Sequence, residues 1–305
     1  MSVLVVPPVH GLGTPRAESL LSIVSRAAQA YGVRPFRLSR LVASVGRDSK
    51  LGDGVVNSSN GFISCSDSTL WLTSGFELLS GRGDVKCTTL LKLRSVLGSR
   101  ARGIVARHYR VCPLCLDPKD GLDYSLLAHQ LHHVTTCPIH SVALLEQCKR
   151  CGVGFSNSYG PSQTHCLRCC APLWIQRAKP LRLSTYAEWC QRQAIELVCF
   201  ATLPETVVPD TWGELYCHGI TRLCEALDDR YTRAERLLVQ RLADHRNGST
   251  SAAPAIESLL RLAAMQATTV VEMIKAPVES NSPRLFNIGG AKDAGRGRRN
   301  HPKQD

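Results

Sequence analysis

Four short pairs of metal-type side chains constrain this chain more than any other feature. They are Cys112-Pro-Leu-Cys115, Cys137-Pro-Ile-His140, Cys148-Lys-Arg-Cys151 and Cys166-Leu-Arg-Cys169. Two intervening residues let both side chains of a pair reach one ion from a single tight loop. Two pairs complete a tetrahedron, so four pairs make two sites. In chain order, Cys112, Cys115, Cys137 and His140 form the first. Cys148, Cys151, Cys166 and Cys169 form the second. Gly152 directly follows a ligand, where a knuckle turn favours a residue without a Cβ. The expected ions are two structural Zn2+.

The fourteen cysteines could also be read as disulfides, as scattered buried thiols, or as a redox or iron–sulfur site. The opening Met-Ser-Val-Leu-Val-Val-Pro-Pro has no basic segment and only a short apolar run, so it does not read as a secretory leader. Paired cysteines in a cytosolic chain of 305 residues favour metal over disulfide. Outside the ligand set, Cys65, Cys87, Cys190, Cys199, Cys217 and Cys224 show no ligand spacing. They read as small apolar residues. Cys170 is ambiguous, because it could take the place of Cys169.

Catalysis by these ions is disfavoured. A catalytic zinc keeps an open position, and both proposed sites are saturated. His-x-Glu upstream of Pro-Cys-x-x-Cys, the deaminase signature, does not occur, and neither does His-Glu-x-x-His. His129, His132 and His133 fall at helical spacing and could suit a metal. Surface or half-buried placement is the commoner fate of such histidines. There is no Walker A pattern, so the chain does not read as an ATPase.

The remainder reads as helical. Thr14 and Pro15 suit a helix start, with Glu18 in the first turn and an apolar face of Leu20, Ile23, Val24, Ala27, Ala28 and Tyr31, ended by Gly32. A second helix from Pro35 would turn Leu38, Leu41 and Val42 inward. Helix, Gly-containing turn, helix is the outline of a helix-turn-helix, although from this segment alone a plain helical hairpin is the commoner arrangement. Residues 46–66 read as a loop. Ser68 to Leu79 reads as a helix burying Leu70, Trp71 and Leu78, and Leu90 to Leu97 as one more. Further helices are expected at Tyr124–Val134, Tyr186–Val198 and Leu215–Leu227, and after the capping-box pattern Thr232-Arg-Ala-Glu235. The longest is expected from Ala255 to Lys275. Val142, Leu144 and Leu145 would pack one zinc module on the other. Gly154 to His165 reads as a ribbon or loop.

The net charge is +12, which favours an anionic partner such as nucleic acid. From Lys86 to Arg110 the chain is basic with no acidic residue. Lys92, Arg94, Arg100, Arg102, Arg107 and Arg110 are therefore the candidate phosphate contacts, against the alternative of a merely solvated face. No apolar run is long enough to span a membrane. The expected architecture is mainly α. An N-terminal helix-turn-helix-like domain spans 1–106, a double zinc-knuckle module 107–176, a C-terminal helical domain 177–278, and a disordered basic tail 279–305.

The run Cys137-Pro-Ile-His140-Ser-Val-Ala-Leu-Leu145-Glu-Gln-Cys148-Lys-Arg-Cys151-Gly152, with Cys166-Leu-Arg-Cys169 after it and Arg110-Val-Cys112-Pro-Leu-Cys115-Leu before it, resembles the TniQ/TnsD family of transposon targeting proteins. Glu18-Ser19, Ser22, Ser25-Arg26-Ala27-Ala28 and Gly32 are similar to that family's opening helix. The resemblance covers residues 15–175. Ser141 and Cys170 stand where the family has Gly, which leaves the turn after His140 open; His129 and Ile23 stand where Trp is common. The resemblance implies a non-catalytic adaptor in the bacterial cytoplasm. Such adaptors recruit an AAA+ ATPase that engages the transposase. They sit on target DNA or on a CRISPR effector complex, and homodimers occur among them. The alternative is a stand-alone zinc-containing helix-turn-helix transcriptional regulator.

Overall fold

The computed structural model describes residues 4–46, 64–98, 103–106, 108–119, 121–155, 164–166, 168–208, 216, 218, 220–221, 233–246 and 255–275. The described chain is mainly helical, and its β pairing is confined to isolated bridges.

Helix α1 spans Leu20–Ala30. It starts later than the Thr14-Pro15 signal suggests. Thr14 Oγ1 instead donates to the Gly11 carbonyl at 2.7 Å, closing a tight turn, and Ser19 becomes the N-cap by accepting from the Ser22 amide. Glu18 therefore lies before the helix, fully buried. Its carboxylate accepts from Ser22 Oγ at 2.5 Å and from Arg26 Nε and Nη2 at 2.9 and 2.7 Å. Burial pushes this carboxyl above its ordinary range, against the opposing pull of Ser22 and Arg26. Gly32 ends the helix at φ +63, where a Cβ would be strained.

Helix α2 spans Pro35–Gly46 and α3 spans Asp67–Ser80. Leu38 and Val42 of α2 turn inward as expected, but Leu41 is 62% exposed. On α3 the expected face is also displaced. Leu70 and Leu78 are exposed, while Leu72 and Phe76 are fully buried. The reason is a backbone-to-backbone crossing. A Cβ on Gly75 would lie 1.9 Å from the Val42 carbonyl oxygen, and one on Gly46 would lie 1.9 Å from that of Trp71. The glycines bring the two helices together, and Leu72 and Phe76 flank that seam.

The segment 83–97 is broken into 3-10 turns at Gly83–Thr88 and Leu91–Leu93 and a short helix α4, Arg94–Leu97. The helix expected at Tyr124–Val134 does not form. Only Ala128–Gln130 makes a 3-10 turn. Its backbone is used by distant partners: the Ser125 carbonyl accepts from Ser19, Leu127 donates to Ala17, His132 donates to Ile104, and the Gln130 carbonyl accepts from Ala106. Those pairings replace the hydrogen bonds a helix would need.

Helix α5, Thr185–Thr202, is capped by Ser184. Residues 216, 218, 220 and 221 are helical, and the rest of the segment expected at Leu215–Leu227 lies outside the described residues. Helix α6 is Arg233–Arg246, and the Thr232 cap also lies outside. The long C-terminal helix is in fact two, α7 at Ile256–Met265 and α8 at Val270–Lys275. Ala267 sits between them at φ +51. Glu272 accepts from Thr268 Oγ1 and the Thr269 amide, starting the second helix. Gln193 of α5 accepts from the Val270 amide at 2.9 Å, tying α8 to α5. One apolar core runs from Leu4 to Ile274 and includes Leu145, Phe155 and Leu173 of the cysteine-rich segment. No helix among the described residues is long and apolar enough to cross a membrane.

The α2–α3 crossing is directly testable. Gly75→Ala is expected to cost about 2 kcal/mol or more of stability, because the obstructing atom is backbone. Gly32→Ala meets open space and is expected to cost only the left-handed strain, about 1 kcal/mol. Equal melting temperatures for the two variants would contradict this account.

Candidate metal centres

The local folding of the cysteine pairs follows one hydrogen-bond pattern used three times. The Cys137 amide donates to the Val142 carbonyl and the Ser141 amide returns to Cys137. Cys148 pairs with Val153, and Gly152 returns to Cys148. Cys166 pairs with Ala171, and Cys170 returns to Cys166. The returning residue is left-handed each time: Ser141 at φ 55, Gly152 at φ 69 and Cys170 at φ 52. The turn after His140 is thus retained without glycine. Cys170 is the turn residue of its knuckle and is exposed, which removes it as a rival to Cys169. The first pair differs: Leu114–Leu116 forms a 3-10 turn, with the Leu116 amide donating to the Pro113 carbonyl.

These turns bring the eight expected ligands into two clusters, Cys112/Cys115/Cys137/His140 and Cys148/Cys151/Cys166/Cys169. Within each, the ligand atoms lie within 4.8 Å of one another. In the first, His140 Nδ1 stands 3.5, 3.3 and 3.6 Å from the sulfurs of Cys112, Cys115 and Cys137. Cys115 and Cys137 sulfurs are 3.6 Å apart. In the second, Cys148–Cys169 and Cys151–Cys166 are 3.7 and 3.6 Å apart. A disulfide would need about 2.05 Å. A tetrahedral ion with metal–sulfur bonds of about 2.3 Å and metal–nitrogen bonds of about 2.0 Å sets edges of about 3.8 Å and 3.5 Å. The observed spacings fit the second description, so each cluster could hold a metal ion through four ligands.

The ligand thiols shift in opposite directions: hydrogen bonding to Cys112 and Cys137 raises Cys115, while Cys137 and Cys148 are lowered. Hydrogen bonds from Cys112, Cys115 and then His129 hold the Cys137 thiol well below its usual range. Burial pushes Cys148 up, but the amides of Cys151 and Arg150 and the Gln176 side chain outweigh it and bring it to about 6. Gln176 Nε2 donates to Cys148 Sγ at 3.3 Å while its Oε1 accepts from the Lys149 amide. Such outer contacts fix ligand orientation. His129 is only 2% exposed and lies on the 3-10 turn beside Cys137, not on a helical face with His132 and His133. Spacing alone could not have found Gln176 or His129 in these roles.

The expected phosphate contacts are placed unevenly. Arg110 is 8% exposed. Its Nη1 donates to the carbonyls of Leu131, His132 and Val134, and its Nε to Glu146 at 2.7 Å. It braces the first cluster from within, so burial removes it as a phosphate contact. Lys92 is half-buried and donates to the carbonyls of Leu203 and Pro204. Arg94 pairs with Asp67 at 2.6 Å and the Cys65 carbonyl. Arg100, Arg102 and Arg107 lie outside the described residues.

Cys148→Ser is expected to release one of two bound ions and to melt the second knuckle, since binding energy of order 10 kcal/mol is folding energy there. Unchanged metal content and melting temperature would refute it. Ser141→Gly and Cys170→Gly are each expected to stabilise by about 1 kcal/mol by relieving left-handed strain. A loss of stability would show that those side chains contribute more than the strain removes.

No curated protein matches the chain. The TniQ family model matches residues 10–144, from the segment before α1 through the first metal cluster. Over that stretch the chain is similar to the TniQ family.

Proposed function

We propose that the chain is a non-catalytic target-selection adaptor in DNA transposition. It would link target DNA, or a CRISPR effector complex on that DNA, to an AAA+ ATPase and through it to the transposase. The observation that carries this reading is the likeness to the TniQ family, joined to metal clusters whose four ligands leave no position for a substrate. Thiolate and imidazole donors at tetrahedral spacing suit Zn2+, so both ions are read as structural zinc. When bound, the ions supply cross-links, and the chain's own residues do the rest. Gln176 and His129 orient ligands, and Arg110 ties the first cluster to the segment 131–134.

In this reading an N-terminal helix-turn-helix-like domain (1–106), a zinc module (107–176) and a C-terminal helical domain (177–278) present separate surfaces. A basic tail (279–305) follows. The chain acts in the bacterial cytoplasm, as a monomer or a homodimer. Arg100, Arg102 and Arg107 remain the phosphate contacts proposed for the basic run, with Lys92 and Arg94 at its edge.

The test is capture of an AAA+ transposition ATPase by the purified, zinc-loaded protein. Capture in the presence of target DNA or effector complex is expected. Tight binding to one operator sequence with no ATPase captured would replace the adaptor by a stand-alone transcriptional regulator. Metal-dependent turnover of a nucleic acid would replace it by an enzyme.

A further inference from the structure

A second one-signed stretch lies beyond the family match. From Gln147 to Ala187 the sequence holds six Lys and Arg and no Asp or Glu. The six are Lys149, Arg150, Arg168, Arg177, Lys179 and Arg182, and all are exposed. None has an acidic partner among the described residues. The nearest carboxylate upstream in sequence, Glu146, is already bound to Arg110 at 2.7 Å.

The metal cluster gathers four of these charges. Lys149 and Arg150 are the two residues between ligands Cys148 and Cys151. Arg168 lies between ligands Cys166 and Cys169. Arg177 follows Gln176, whose side chain binds both the Lys149 amide and the Cys148 sulfur. Three chain segments thus place cations around one centre whose sulfurs are 3.6 and 3.7 Å apart. The basic run at 86–110 differs, since there Lys92, Arg94 and Arg110 are already engaged within the protein.

We infer that this face of the second knuckle is a docking surface for the phosphate backbone of double-stranded DNA. The inference rests on the adaptor reading for its biological setting, but not for its chemistry. Like charges held together by a metal-stapled frame repel one another, and an anionic polymer relieves that repulsion by displacing counterions. Duplex is favoured over single strands because recognition of single strands relies on stacking bases on open aromatic rings. The neighbouring Trp174 is instead half-buried against the core and edge-on to His165 at 4.8 Å. The contacts read phosphates, so the surface sets position and affinity without choosing a sequence.

The experiment is a salt titration of the full zinc-loaded chain with a short DNA duplex of mixed sequence, read by fluorescence anisotropy. The combined variant Lys149→Ala, Arg150→Ala, Arg168→Ala, Arg177→Ala is expected to lower the slope of log affinity against log salt by about 3.6, at about 0.9 per lost contact. A variant with the three arginines changed to lysine is expected to keep the wild-type slope, which separates charge from fold. Metal content is measured on both. An unchanged slope in an alanine variant that keeps two ions would overturn the proposal. So would tighter binding of single-stranded RNA through the same residues. ATPase capture by the same proteins separates the two readings. Capture without any response of duplex binding to the alanine changes removes this surface and leaves the adaptor. Duplex binding through this surface without capture removes the adaptor and leaves the surface.

Discussion

Seven thiols and one imidazole crowded into two tetrahedra are the constraint on which the rest of the structure depends. Sulfurs 3.6 Å apart are in contact, and as thiolates they would repel one another strongly without a cation between them. An ion reverses the sign of that interaction. A structural zinc contributes on the order of 10 kcal/mol or more, comparable to the whole net stability of an ordinary domain. The knuckles' apolar residues, Leu145, Phe155 and Leu173 among them, pack into the shared core, and this term adds to that burial. The left-handed backbone of Ser141 and Cys170 is a small strain beside it, on the order of 1 kcal/mol each. That difference explains why the turns survive there without glycine.

The clusters matter for what they fix. Thr136 and Gln147, directly before Cys137 and Cys148, bridge to Ala143 and Gly154, which continue into Leu145 and Phe155 of the shared core. Arg110 fastens the chain just before the first ligand to the carbonyls at 131–134. Gln191 of α5 accepts from the amides of Thr135 and Thr136 and donates to Thr136 Oγ1, seating α5 against the segment that leads into Cys137. The metal centres therefore act on neighbouring helices through directional polar contacts. Removing an ion should loosen these contacts without removing any group that does chemistry.

The spacing of the pairs was legible because two residues between ligands is a local, rigid requirement. All eight ligands converge as that spacing demands. Helix existence was legible wherever a glycine stop or an apolar periodicity is a local signal, as at Gly32 and along α5. Facing was harder. Leu41, Leu70 and Leu78 are apolar at plausible spacing, yet the Gly46–Gly75 crossing rotates α2 and α3 and leaves them outside. The segment 124–134 has a helical pattern but gives its backbone to Ala17, Ser19, Ile104 and Ala106, all far away in sequence. The break at Ala267 carries no Gly or Pro to announce it. Arg110 looked like part of a basic surface because sequence shows charge and not burial. The charges around the second knuckle were as visible in the sequence, but their meeting at one place depends on the metal ligands between them.

The central claim is that both centres are closed, four-ligand clamps. X-ray absorption at the metal edge of the purified chain tests it most directly. Seven sulfurs and one nitrogen shared over two ions should give sulfur-dominated tetrahedral shells, with bonds of about 2.3 Å to sulfur and no oxygen ligand. A shell containing bound water, or a fifth ligand at either ion, would contradict the clamp and reopen a catalytic role for the metal.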